Sequence, residues 1–162
     1  MAGPKGFTLL ELIIVMALIG LMLAVGIPEY MSWRAQARYR EVSQSIASTL
    51  REARARALAR NAQHRVEINV AGNRYRVVEG NRTIGSTAFT TVVNDWTVIQ
   101  PDIVLRSAAD CSATADVNLD FNANGTATQD GVCVMSAGAA SSTRYRISVD
   151  LATTGRVTMT RL

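Results

Sequence analysis

Between Leu12 and Ile27 the chain runs for 16 residues without a charge, and Glu11 stands immediately before that run. As an α-helix rising about 1.5 Å per residue, residues 7–27 span roughly 30 Å, the thickness of a bilayer core. Of the 22 residues from Phe7 to Pro28, 17 are apolar; without residues 1–28 the apolar share falls from 48% to 59 of 134 residues, an ordinary value for a soluble domain. The 162 residues thus provide one domain plus a greasy segment. Disorder and solenoid repeats are excluded by the same composition and by the lack of any repeat period. Two membrane readings fit the segment. One is a cleaved secretory signal, with Lys5 as its basic part, Leu9–Leu23 as its apolar part and cleavage near Ala24-Val25-Gly26. The other is a retained helix. Glu11 favours the second, because a carboxylate in a membrane segment costs a few kcal/mol and is normally there for a partner.

Beyond Pro28, which loosens a helix but is tolerated in a membrane, the pattern stays helical. Tyr39, Val42, Ile46, Leu50, Ala53 and Ala57 recur at three- and four-residue steps, and Glu52 and Arg56 are spaced as a helical ion pair. One long helix over residues 7–61 is predicted, its second half packing on a head. Arg34, Arg38, Arg40, Arg51, Arg54, Arg56 and Arg60 flank its stripe as a solvated face; the first three could instead meet the membrane surface or acids of other chains. From His64 the apolar period becomes two, and Gly72-Asn73 separates two alternating runs, which predicts a β-hairpin. Further strands are expected at Trp96–Ile99, Ile103–Leu105, Val117–Phe121, Val132–Met135, Arg144–Val149 and Arg156–Arg161, with loops at 80–95 and 137–143. The fold class is α+β.

The stretch Gly6-Phe7-Thr8-Leu9-Leu10-Glu11 resembles the class III signal of type IV pilins and type II secretion pseudopilins. The resemblance implies cleavage after Gly6 by a prepilin peptidase on the cytoplasmic side and N-methylation of Phe7. Glu11 then becomes the fifth residue of the mature chain, where it would pair with the Phe7 amine of a neighbouring subunit and set the stagger between them. Gly20 and Pro28 fall where pilins carry a helix-loosening glycine and proline. Further on, Leu119-Asp120-Phe121-Asn122-Ala123-Asn124-Gly125-Thr126-Ala127, Tyr145-Arg146-Ile147-Ser148-Val149 and Thr154-Gly155-Arg156-Val157 resemble the GspH/FimT family of minor pilins and H-type minor pseudopilins.

That family implies a type IV pilin-like fold, a long N-terminal helix packed on an antiparallel β-sheet head. The expected divisions are a leader at 1–6, a membrane and filament-core helix at 7–28, an amphipathic continuation at 29–63 and a β-rich head at 64–162. The implied function is that of a minor pilin at or near the tip of a type IV pilus, initiating assembly. An H-type minor pseudopilin of a type II secretion system and a DNA-binding minor pilin for transformation are the alternatives. Partners are other pilins or pseudopilins and a tip adhesin. The implied location is the bacterial inner membrane, single-pass with a periplasmic head, and then the filament.

Cys111 and Cys133 are the only cysteines, and a head in that oxidising space is expected to join them; two buried free thiols are the alternative. Asp120, Asn122 and Asn124 match the first half of an EF-hand loop. Position twelve, however, is Gly131 instead of a bidentate Glu, so a β-turn is expected there and no calcium or other cofactor. His64 is the sole histidine and has no nucleophile constellation around it, so no enzyme activity is expected. Arg144, Arg146, Arg156 and Arg161 form the candidate DNA-binding cluster. DNA-uptake minor pilins that this tail resembles carry Gly-Arg-x-Arg, whereas Gly155-Arg156-Val157 is followed here by Thr158. Residues 66–162 hold eight Arg and nine acids, so the cluster sits on no broadly basic surface.

Overall fold

A computed structural model describes residues 6–107, 111–128, 130–137, 143–150 and 154–162; the side chains of residues 143, 144 and 150 lie outside that description. The expected leader, apart from Gly6, also lies outside the described residues, as does most of the 137–143 loop. Helix α1 spans Leu9–Arg60 with Pro28 inside it. It opens on a cap: the Glu11 amide donates to Thr8 Oγ1 at 3.2 Å, so Thr8 satisfies one of the amides that a helix start leaves free. It ends at Asn61, whose φ of 52° is the left-handed conformation that stops a helix.

The chain divides into two compact units, residues 1–38 and residues 39–162. In the first, the apolar side chains from Leu9 to Ile27 stand exposed along α1. In the second, α1 buries Tyr39, Ser43, Ile46, Ala47, Leu50, Ala53 and Ala57. Small residues, Ala53 and Ala57, make up the last turns of that stripe. Ser43 is buried without penalty because its Oγ donates to the Tyr39 carbonyl at 2.7 Å. Val42, expected in this stripe, is only half-buried, and Ser43 and Ala47 take the core-facing positions.

Eight strands follow, β1 (His64–Asn69), β2 (Arg74–Glu79), β3 (Thr91–Val98), β4 (Ile103–Ser107), β5 (Val117–Phe121), β6 (Gly131–Ser136), β7 (Thr143–Asp150) and β8 (Arg156–Arg161). They form two antiparallel four-stranded sheets, ordered β3-β2-β1-β5 and β4-β6-β7-β8. Val66, Ile68, Tyr75, Val77, Leu119 and Phe121 of the first sheet are buried, as are Ile103, Leu105, Val132, Val134, Ile147 and Val149 of the second. Two hydrogen bonds tie α1 to β2: Ser45 Oγ with Tyr75 Oη at 2.9 Å, and Arg60 Nη1 to Glu79 Oε2 at 3.3 Å. Asn73, at the tip of the β1–β2 hairpin with φ 48°, joins the two sheets. Its Nδ2 donates to the Ile103 carbonyl at 2.7 Å, and its Oδ1 accepts from the Leu105 amide at 3.2 Å.

One strand expectation needs correcting. The stretch 80–95 is not wholly loop, because β3 already begins at Thr91. β3 lies at the edge of its sheet and is exposed on both faces, with Thr91, Val92, Asp95, Thr97 and Val98 all open to solvent. Its register on β2 also shifts twice between Tyr75 and Val78. A strand with no buried face shows no period-two pattern, so its sequence does not announce it.

Candidate assembly surfaces

Of the residues expected in processing and assembly, Gly6, Phe7 and Glu11 lie at the start of α1, and Gly20 and Pro28 lie further along it. Gly6 and Phe7 precede the helix, and Phe7 is 81% exposed. Thr8, Leu9, Leu10 and Glu11 form the Thr-x-x-Glu pattern of a helix start, and the capping bond from Glu11 to Thr8 is made. Among the described residues the Glu11 carboxylate has no partner; it lies in the first turn, where the helix dipole favours a negative charge. Gly20 lies on α1 with nothing within 4 Å of the Cβ it lacks, and Pro28 interrupts none of the helix. Thr8 is the residue that the sequence reading passed over, although its spacing from Glu11 is the signal for it.

The disulfide is formed, with the Cα atoms of Cys111 and Cys133 5.6 Å apart. Cys133 sits on the outer face of β6, opposite Arg106 of β4 and Arg146 of β7. Together with Met135 and Val104 the cystine makes a small apolar cluster, so Cys111 is pinned against the second sheet. Arg146 leans on it, its Nη2 lying 3.7 Å from Cys111 Sγ, and among the described residues its buried Nε has no hydrogen-bond partner.

The other arginines of the tail part company. Opposed residues of antiparallel strands share a face. Arg161 opposes Tyr145 and so lies on the face of Ile147 and Val149, whereas Arg146 opposes Thr160 on the other face. Arg156 starts β8 and reaches a cleft against α1. The Arg144 side chain lies outside the described residues. Arg156 opposes Asp150 and so shares the face of Arg146, which leaves Arg161 on the opposite face from both.

The Asp120 loop is built as a turn. The Gly125 amide donates to the Asn122 carbonyl at 3.0 Å, and Gly125 takes φ 86°, which glycine adopts without strain. Asp120 receives Arg65 through two bonds, Nε to Oδ1 at 2.6 Å and Nη2 to Oδ2 at 2.9 Å. The Asp120 hydrogen bond, with a smaller electrostatic contribution from the same carboxylate and from Glu67, holds the Arg65 guanidinium pKa above its ordinary value. A raised pKa stabilises the fold below the unfolded value and is lost only on rising through the folded one, so this pair keeps its cation at every workable pH. Phe89 covers the guanidinium, with Cζ 3.8 Å from the ring centre. Asn122 Oδ1 accepts from Gln63 at 2.8 Å, and Asn124 Oδ1 accepts from Thr126 Oγ1 at 2.7 Å. All three candidate calcium ligands thus have their side-chain oxygens in structural bonds.

His64 is fully buried, with Nδ1 3.0 Å from the Ala62 carbonyl and Nε2 3.8 Å from Glu79 Oε2. Beside it Gln63, also buried, holds the junction between helix and sheet. Its amide donates to the Arg82 carbonyl, its Oε1 accepts from the Ser86 amide and its Nε2 reaches Asn122. Among the described residues no group of His, Cys, Asp and Glu is arranged to hold a metal.

Known proteins resemble the chain in both parts. Residues 1–27 match the prokaryotic N-terminal methylation motif. A crystal structure of the minor pseudopilin EpsH from the type II secretion system of Vibrio cholerae shares its fold, with TM-score 0.59 and 12% identity over 78% of this chain and 96% of that one. The type IV minor pilin FimU of Pseudomonas aeruginosa does so with TM-score 0.55 and 12% identity, over 79% of this chain and 92% of that one. The methylation motif implies processing by prepilin peptidase and association with other pilins or pseudopilins. Residues 42–155 match the model of the type II transport protein GspH, most of the chain, and the protein belongs to that family of minor pseudopilins and pilins.

Proposed function

We propose that the chain is a minor subunit of a type IV pilus, standing at or near the tip and priming assembly. The observation that carries this reading is the contrast within α1: a run of bare apolar side chains from Leu9 to Ile27, on a chain whose β-rich unit has its own complete core. Such a run needs lipid first and neighbouring helices afterwards. Cleavage after Gly6 frees the Phe7 amine, the site of N-methylation. Glu11 of one subunit then pairs with that amine on the next, and the pair is satisfied at one stagger only. Gly20 and Pro28 loosen the helix where it must adapt to its neighbours.

The test is Glu11→Ala in cells. The expected outcome is normal membrane insertion with strong loss of the chain from sheared filaments, read by immunoblot. Undiminished incorporation overturns the pairing. A second reading, a minor pseudopilin of a type II secretion system, is favoured by the family model that matches residues 42–155. Deletion separates the two: loss of twitching with intact secretion supports the pilus, and the reverse supports the secretion system.

A further inference from the structure

A cleft of about 390 Å³ lies between the outer side of α1 and the start of β8, lined by Arg51, Arg54, Ala55, Leu58, Arg156 and Val157. The four α1 residues follow the i, i+3, i+4, i+7 spacing of one helix face. This face runs beside the buried stripe of Leu50, Ala53 and Ala57. Gly155 lets β8 approach: a Cβ there would stand 3.0 Å from the Gly125 carbonyl oxygen and 3.4 Å from Arg54 Nε.

Three arginines line this cleft and no acid does so among the described residues; Asp150, which opposes Arg156 in the β7–β8 register, has its side chain outside that description. Elsewhere in the same unit arginines hold carboxylates: Arg56 with Glu52, Arg60 with Glu79, Arg65 with Asp120 and Arg76 with Glu67. Arg54 is half-buried, and among the described residues its buried Nε has no hydrogen-bond partner. Buried donors left unpaired and like charges held together both cost stability, and an incoming anion relieves both costs. The rest of the lining is Ala55, Leu58 and Val157, with Leu58 49% exposed. A carboxylate on an aliphatic stem matches this mixture. A nucleic-acid backbone matches it less well, because it offers charge after charge and nothing for the apolar wall.

We propose that this cleft receives an acidic segment of a neighbouring filament subunit, an Asp or Glu beside an apolar residue, clamped by Arg51, Arg54 and Arg156. The inference rests on the filament reading above and adds a head-level contact to the one made by Glu11. Such a contact supplies what the membrane helix lacks, a choice of partner, because a charged pocket rejects neighbours without the matching acid.

The full chain is tested in its own cells, with p-benzoylphenylalanine in place of Leu58, irradiation in situ and mass spectrometry of sheared filaments. The expected product is an adduct with another filament subunit, at a peptide containing Asp or Glu. Arg51→Glu with Arg156→Glu, both on exposed side chains, lowers its yield about tenfold or more while the chain remains in filaments with its disulfide formed. Converting the trapped acid to Lys restores the yield in that double variant. An unchanged yield after charge reversal, a nuclease-sensitive adduct, or no adduct from a chain that is present in filaments overturns the proposal. A parent chain absent from sheared filaments overturns the filament reading instead, and the cleft assignment falls with it.

Discussion

The two halves of α1 are the same secondary structure in different surroundings. From Leu9 to Ile27 large apolar residues face every direction, and Leu21 and Val25 are 70% and 73% exposed. From Tyr39 to Ala57 one stripe is sealed, with Ile46 and Leu50 at 0%, while Arg51, Glu52 and Ala55 on the other faces are open. Helix formation is a local property, but burial is not. The second half finds its cover within the chain. The first carries more apolar surface than any single face could bury, so its cover comes from outside.

Truncation on either side of Arg38 sharpens that contrast. Leu50→Ala removes a fully buried side chain and is expected to lower the stability of the β-rich unit by about 3 kcal/mol, measured by chemical denaturation of the full chain in detergent micelles. Leu21→Ala in the same assay is expected to change it by less than about 0.5 kcal/mol, because Leu21 is 70% exposed and lies outside that unit. Equal losses from both would show that the halves are not separate. Replacing Cys111 and Cys133 together by Ser opens a loop with a sequence separation of 22, and an effect of about 3 kcal/mol is expected, confined to the β-rich unit. Thr8→Ala acts on the start of α1 alone. Loss of the cap is expected to cost about 1 kcal/mol at the helix start, seen as faster amide exchange over the first turn with no shift in the unfolding of the β-rich unit.

Most elements were legible because they carry a buried face. β1 and β2 alternate strictly enough that the hairpin could be read from Val66, Ile68, Tyr75 and Val77, and the Asn124-Gly125 turn followed from its residues. β3 was half-missed because an exposed edge strand leaves no such trace. The N-terminal methylation motif was legible in the stretch from Gly6 to Glu11, where a few adjacent residues hold all the signal. The surroundings of the tail arginines were not. Arg144, Arg146, Arg156 and Arg161 formed a group in the sequence, yet Arg146 lies against the cystine and Arg156 faces Arg51 and Arg54 across a cleft. Those partners stand more than ninety positions away in the chain from Arg156, a separation that no local pattern encodes.

By itself the sequence determined the apolar run, the helix it must form, the cap of Thr8 and Glu11, and the alternation of the buried strands. Each depends on neighbours within a few residues, through backbone hydrogen bonds and side-chain periodicity. The tertiary structure alone decided the strand order of the two sheets, the cross-sheet bonds of Asn73, the pairing of Arg65 with Asp120 and the meeting of Arg51, Arg54 and Arg156 at one cleft. Charges find partners by distance in space, and only the packed chain sets those distances.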